Sequence, residues 1–311
     1  MTSAADRARA AVMGAYVADC ATMGLHWLYD QQRIAEVAGD QPEFRAPNKA
    51  DFADKGYFAH GGKSVGEPSH YGAQMLAMAQ SVSRSGGFDV DDYAASFREW
   101  FDYGGRWVGY ADRPTRATLA AMAEASANDR PISACGADDA QLPAVSKLPP
   151  LVAAHYDDAD LPAMVEAAVR VTNDRDDSVA WGQATARMIA AAIKGASLSE
   201  CVTAARDGAT DQIQEQIDGA ARMSANTTSE VASAYALHCQ LEKAFPVLIH
   251  TIAGAEDFTS AVRANIAAGG DNCGRAIPIG AVLGAVFAGN PHQETPSNWR
   301  AMISAPAYLV S

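Results

Sequence analysis

Gly269-Gly270-Asp271-Asn272-Cys273-Gly274, running into the apolar stretch 276–288, carries more structural information than any other segment of the chain. Two glycines ahead of an Asp and an Asn predict a sharp turn. Its side chains and backbone donors then converge at the N-terminus of a helix. Within that helix Gly280, Gly284 and Ala288 recur every four residues, forming a ridge of small residues suited to close contact with another helix.

A partner for this ridge is found at the other end of the sequence. Residues 12–25 are apolar or small on nearly every face, so this helix should be buried, yet it carries Asp19. A buried carboxylate is costly unless it is paired or hydrogen-bonded, so Asp19 must turn toward polar company. Between these ends, apolar residues three and four apart recur almost without interruption, and alternating strand patterns are scarce. The spacing predicts helices at about 5–25, 70–85, 91–102, 115–127, 160–172, 178–194, 198–207, 211–223, 229–242, 244–253, 257–268 and 276–288. Gly195 reads as a C-cap and Pro114 as a first-turn proline. The fold class is therefore all-α. With no repeat and no clear linker, residues 1–311 are expected to form one domain.

Two segments interrupt the helical pattern. Residues 41–69, rich in Pro, Gly and charge, form a long loop of the kind that serves as a lid or carries function. Residues 128–150 read as a second loop without legible chemistry.

The composition narrows the functional classes. Apolar residues make up 49% and charged residues 20%, which is globular composition. The net charge of −13 argues against a nucleic-acid partner, which needs clustered Lys and Arg, but not against a small anionic ligand. Five widely spaced cysteines, Cys20, Cys135, Cys201, Cys239 and Cys273, contain no C-x-x-C pair, so neither a disulfide framework nor a zinc module is expected. The early apolar run after Arg7 and Arg9 is too short, and too soon followed by Asp19, for a secretory signal. The run 276–288 is too short to span a bilayer. A cytoplasmic protein without membrane partners is the expectation.

Four segments together resemble the ADP-ribosylglycohydrolase family, an all-helical fold that includes the J-type lens crystallins. Gly14-Ala15-Tyr16-Val17-Ala18-Asp19 is similar to the family's first-helix G-A-x-x-G-D, and Ser69-His70-Tyr71-Gly72-Ala73-Gln74-Met75 stands where the family has T-D-D-T-Q-M. Val171-Thr172-Asn173 resembles a T-H segment. The Gly269–Gly274 turn, with Gly280 and Gly284 after it, resembles G-G-D-T-D-T followed by G-A-x-x-G. Lys243-Ala244-Phe245-Pro246 resembles the family's helix break just upstream.

The resemblance implies two Mg²⁺ ions held by the T-D-D and D-x-D-T side chains, which activate water beside a ribose carbon. In this chain the T-D-D positions are His70, Tyr71 and Gly72. The second carboxylate of D-x-D-T is Cys273, the following Thr is Gly274, and only Asp271 remains as a metal ligand. The acidic residue seven positions after the first-helix Asp is His26, and the His of T-H is Asn173. A dinuclear Mg²⁺ site is therefore not expected, whereas a single metal of another kind remains possible.

The resemblance brings Asp19, His26, His70, Tyr71, Asp271, Asn272 and Cys273 to one cavity. Asp271, His70, His26 and Cys273 are the candidate catalytic groups, and Asp19, Tyr71, Asn173 and Asn272 the candidate ligand-binding ones. Two imidazoles, a carboxylate and a thiol form a borderline set suited to Zn²⁺, or a metal-free acid–base set. Cys273 at a helix N-terminus would have a lowered pKa if it were a nucleophile. His60 is expected at the rim, and His155, His238, His250 and His292 are structural or surface residues. Each feature also has a plainer reading: Asp271 and Asn272 as helix caps, Asp19 as a structural acid, His26 and His70 as core packing.

Three functions remain open, and polar rather than apolar residues at the ligand positions favour the first, with the inactive or structural protein as the alternative. A hydrolase of an ADP-ribosyl or related glycosidic bond, or a silent sensor of a nucleotide, a sugar or a nucleotide sugar, would need an open polar cavity. A structural, crystallin-like protein would fill the same space with its own side chains.

Overall fold

The computed structural model describes residues 2–310. Helices succeed one another along the chain. Among the described residues the only strand-like pairings are isolated bridges, Leu28 with Gly56, Ala137 with Asn173 and Gln141 with Gln240. The all-α class is confirmed. No helix among the described residues is long and apolar enough to cross a membrane, and all five cysteines are free thiols.

The centre of the molecule is the contact between the first helix, Ala4–Thr22, and the late helix, Asn272–Val286. The first begins at a capping box in which the Ser3 hydroxyl accepts from Asp6 N and the Asp6 carboxylate from Ser3 N. From Ala11 onward almost every one of its residues is buried. The two helices touch backbone to backbone. A methyl group on Gly14 would fall 2.3 Å from the Gly280 carbonyl oxygen, and one on Gly280 would fall 2.4 Å from that of Gly14. One helical turn along, a methyl group on Gly284 would meet the Ala10 carbonyl at 2.3 Å. The predicted ridge therefore consists of Gly280 and Gly284. Ala288 lies beyond the helix end, where its carbonyl accepts from Thr2.

Helices read from periodicity occur close to their predicted places, with one division. The 229–242 segment ends as a helix at Tyr235, turns through Ala236 at φ 73°, and restarts at Leu241. A tertiary contact overrides the local pattern here: the Leu237 carbonyl accepts from Asp271 N, pinning the break against the glycine turn. Conversely, the break expected at Lys243–Pro246 is absent, because the Leu241–Ala253 helix runs through Pro246. The 128–150 segment is not a featureless loop. It holds Pro143–Ser146 and leads into Leu148–His155, whose prolines fall in the first turn, where no N–H is required. Gly195 is the left-handed cap of Asp176–Lys194, and Pro114 lies in the first turn of Arg113–Ala127, as expected.

Gly280→Ala forces a methyl group into a rigid carbonyl at the centre of the molecule and should cost about 1–3 kcal/mol or more. Gly62→Ala, which adds a methyl group to open space, is the control. Urea unfolding of both variants measures the difference; equal stability would mean that the helices can part without penalty.

Candidate functional site

Helix N-termini converge on one buried region, and each brings a polar cap. Ser69 caps His70–Ser85, Asp112 caps Arg113–Ala127, and Asp271 caps Asn272–Val286. Asp19 reaches the first of them from the opening helix. Its carboxylate accepts from Ser69 N at 2.8 Å and from Ser69 Oγ at 2.5 Å. It has no solvent exposure, and burial raises its pKa to about 6 against the pull of those two bonds. The expectation that Asp19 turns toward polar partners is met, and its partner is a helix cap.

Asp271 is held at three points. Oδ1 accepts from Gly274 N at 3.2 Å and faces His26 Nε2 at 3.1 Å, while Oδ2 accepts from the Tyr71 hydroxyl at 2.6 Å. The glycine turn supplies this geometry. Gly269 and Gly270 have φ of 73° and 63°, and a methyl group on Gly270 would meet the Leu237 carbonyl at 2.3 Å. Gly270 N donates to the Leu28 carbonyl, and Trp27 N donates to that of Gly270. Burial pushes the Asp271 carboxyl up, but its His26 and Tyr71 bonds hold it below the usual range. His26 moves to about 4, because burial disfavours its charged form more than Asp271 favours it. The pair is thus an ionised carboxylate and a neutral imidazole that donates through Nε2.

Behind His26 lies a stack of rings. Its Nδ1 is 2.8 Å from His60 Nε2, and the His26 and His60 rings stack with centroids 5.1 Å apart. His70 lies 5.7 Å from His26 and 4.0 Å from Tyr71. Trp27, held at φ 64° (unusual for a bulky residue), closes the stack with its centroid 4.3 Å from His26 and 5.3 Å from His70. Tyr57 and Tyr110 pack edge-on against Trp27. His60, expected at a rim, is inside: it is 3% exposed, and the 41–69 segment delivers it there. Its signal was the neighbouring Gly61-Gly62 pair, which marks a turn just after it.

A second buried network adjoins the first through Asp112, whose Oδ2 lies 3.3 Å from His70 Nε2. Lys147 is fully buried and donates to Thr172 Oγ1. Thr172 Oγ1 donates to Asn173 Oδ1 at 2.8 Å, and Asn173 Nδ2 donates to Asp139 Oδ1 at 3.2 Å. Burial lowers Lys147 to about 7 and raises Asp139 to about 6. Lys147, Asp112 and Asp139 were not singled out from sequence. Lys147 was legible as the one charge in the otherwise apolar run 142–152. Asp112, just ahead of Pro114, reads only as a cap.

The expected cavity set is thus gathered in one region but not around one point. His26, His70, Tyr71 and Asp271 touch one another. Asn173 belongs to the Lys147 network. Asn272 is turned away, donating to the Leu25 carbonyl at 3.4 Å. Cys273 faces the Asp19 carbonyl at 3.9 Å, and burial pushes its thiol well above the usual range, opposite to the shift a nucleophile needs.

The residues do not fit two Mg²⁺ ions. Hard cations need several free oxygen ligands, but the Asp271 oxygens already accept from His26 and Tyr71, and each Asp19 oxygen is drawn to Ser69. The lost positions are also sterically closed. A methyl group on Gly72 would stand 2.1 Å from Asp19 Oδ2, and one on Gly274 would stand 2.6 Å from Leu142 Cδ1.

An all-helical protein with its polar centre built on helix caps, beside a Gly-Gly-Asp turn, is the class this architecture defines. The chain belongs to the ADP-ribosylglycohydrolase family, whose profile matches residues 1–308. It is 28% identical to crystallin J1A of Tripedalia cystophora over 309 residues, covering 95% of this chain and 91% of that protein. Crystallin J1B of the same organism is 25% identical, covering 94% and 91%. A solved structure titled ADP-ribosylglycohydrolase-related protein complex superposes with a TM-score of 0.71 at 17% identity, covering 98% of this chain and 94% of that one, and supports the fold.

Asp271→Ala would orphan three donors rather than remove one cap. The expected loss is several kcal/mol, against about 1 kcal/mol for a cap alone, measured by chemical denaturation. Lys147→Met should stabilise the protein, most at low pH. Below pH 7 the folded and unfolded lysines both carry a proton, and the folded chain bears the burial penalty. Between about 7 and 10.5 only the unfolded lysine is charged, so wild-type stability rises with pH across that window. The Met variant's advantage, on the order of several kcal/mol at pH 6, should shrink by pH 9. An advantage independent of pH would contradict the lowered lysine pKa.

Proposed function

We propose that this chain is a non-hydrolysing member of its family, a structural protein of the crystallin-like kind whose catalytic pocket has become packed core. The observation that carries this reading is the closure of the pocket by its own side chains. His26, His70, Tyr71 and Asp271 are at most 1% exposed, stacked on one another, with Trp27 over them. Hydrolysis needs a carboxylate or an activated water that a substrate can reach. The Asp271 oxygens are both turned inward to His26, Tyr71 and Gly274. The whole-length similarity to two crystallins supports the same reading.

One observation favours a second reading, hydrolysis of an ADP-ribosyl or related glycosidic bond at a different place. A polar cleft of ≈ 290 Å³ opens beside the Lys147 network, lined by Arg113, Asp139, Gln141, Arg175, Asp177 and Trp181 among others. Arg113 and the Trp181 indole can meet a sugar there. Arg175 is already bonded to Asp177 and Asp138, and the carboxylates of the lining outnumber its guanidiniums, which suits the uncharged part of a glycoside better than its phosphates. Burial raises Asp139 to about 6, nearer the range a general acid works in than an ordinary carboxylate.

Incubation with ADP-ribosylated protein and with free ADP-ribosyl conjugates, each with and without Mg²⁺, separates the readings. The expected result is no ADP-ribose release above the buffer blank and no rise in melting temperature with ADP-ribose. Release that survives Asp271→Asn but is lost in Asp139→Asn would establish the cleft reading. Release that depends on Asp271 and Mg²⁺ would overturn both.

A further inference from the structure

The histidine stack has a property that packing alone does not explain. One ring nitrogen from each of His26, His60 and His70 lies within 4.8 Å of the other two, and all three residues are buried. His60 Nδ1, His70 Nδ1 and His70 Nε2 have no hydrogen-bond partner in the protein. A buried polar atom without a partner costs about 1–3 kcal/mol. Unpaired nitrogens on two of three clustered rings make phenylalanine the cheaper filling. Imidazoles in that place imply something for their nitrogens to hold.

We propose that His26, His60 and His70 form a mononuclear site for a borderline divalent metal ion, with Zn²⁺ the best-matched candidate. The donor set sets the metal class. Three imidazole ligands, with no carboxylate among them, suit Zn²⁺ and its neighbours and not Mg²⁺ or Ca²⁺. The surroundings already have the form of a finished site. A metal-bound imidazole usually gives its other N–H to a carboxylate, which fixes its tautomer and raises its basicity. Here Asp271 holds His26 through Nε2 at 3.1 Å, leaving Nδ1 free to ligate, and Asp112 stands 3.3 Å from His70 Nε2, leaving that ring's Nδ1.

The His26 Nδ1 to His60 Nε2 distance of 2.8 Å is that of two nitrogens sharing a proton. A tetrahedral ion with bonds near 2.0–2.1 Å needs its nitrogens roughly 3.3 Å apart. Metal entry therefore separates this pair by about half an ångström, and the shared proton moves to His60 Nδ1, which has no other partner. The ion would tie the 41–69 segment, through His60, to the first and late helices. It goes beyond the structural role above and does not depend on it, because metal content and ADP-ribose release are separate measurements.

The test uses the full chain, stripped with a chelator and titrated with Co²⁺ as the coloured probe and Zn²⁺ as its competitor. One equivalent of Co²⁺ should give a visible d–d spectrum that one equivalent of Zn²⁺ abolishes. Zn²⁺ should raise the melting temperature of the stripped protein. His60→Phe, which keeps the ring volume without its nitrogens, should fold by circular dichroism and lose Zn²⁺ affinity on the order of 100-fold or more. Should it fail to fold, Asp112→Asn should weaken Zn²⁺ on the order of 10–100-fold. No stoichiometric Co²⁺ spectrum in the wild type overturns the proposal. So does a His60→Phe protein that binds Co²⁺ as tightly as the wild type, which would place the metal on other histidines.

Discussion

The register of one helix pair determines where all the polar chemistry of this protein lies. Gly14 meets Gly280, and Ala10 meets Gly284, so the opening and late helices run antiparallel with no side chains between them at the crossing. Moving from that contact toward the C-terminus of one helix is moving toward the N-terminus of the other. Asp19 therefore comes alongside Cys273, and the turn after the first helix, with His26, comes alongside Asp271. Side chains some 250 positions apart in sequence share a site because the carbonyl oxygens of Ala10, Gly14 and Gly280 tolerate nothing larger than hydrogen opposite them. A looser crossing would let the helices slide, and the charged groups would lose their partners in the same movement.

The polar core assembled there is held together mainly by helix ends. Ser69 and Asp271 each satisfy orphan N–H groups of a helix and at the same time hold a second buried group, while Asp112 caps its helix and approaches His70. Dual service of this kind limits the desolvation cost of burying so many polar atoms, since one oxygen answers several donors. The protonation pattern follows the same logic. The ionised Asp271 is bonded to a neighbouring imidazole and a phenol, whereas burial pushes Asp19 and Asp139 toward the neutral acid, Asp139 with the Asp112 carboxylate adding to the push.

Much of this was legible in the residues. Helical periodicity located the helices because their apolar faces point into a common core, and the Gly-Gly-Asp turn with its glycine ridge announced the central crossing. The partnering of Asp19 followed from placing a charge on an otherwise apolar helix. Other features depended on contacts that no local pattern encodes. The break after Tyr235 exists because Leu237 is needed as an acceptor for Asp271, and the sequence around it is good helix. His60 looked peripheral because its segment is irregular, yet irregular backbone is what allows a loop to dip into the core. Lys147 hid in a stretch whose prolines read as a loop and are instead the first turns of helices. Asp112 showed only its capping role, since nothing local connects it to His70.

The glycines that replaced the family's metal ligands bear on how this protein can change further. At Gly72 and Gly274 the neighbours have closed in: the Asp19 carboxylate and Pro68 occupy the space beside one, and Leu142 the space beside the other. An oxygen ligand cannot be added at either position by a single substitution without a shift, because its first carbon would collide with the Asp19 carboxylate, held by Ser69, or with the packed Leu142 side chain. Asp19 would have to release Ser69, or Leu142 would have to shrink, before the ancestral residue could be accommodated. An oxygen ligand at either position is therefore a change in two places at once, in the glycine and in the neighbour that fills its space.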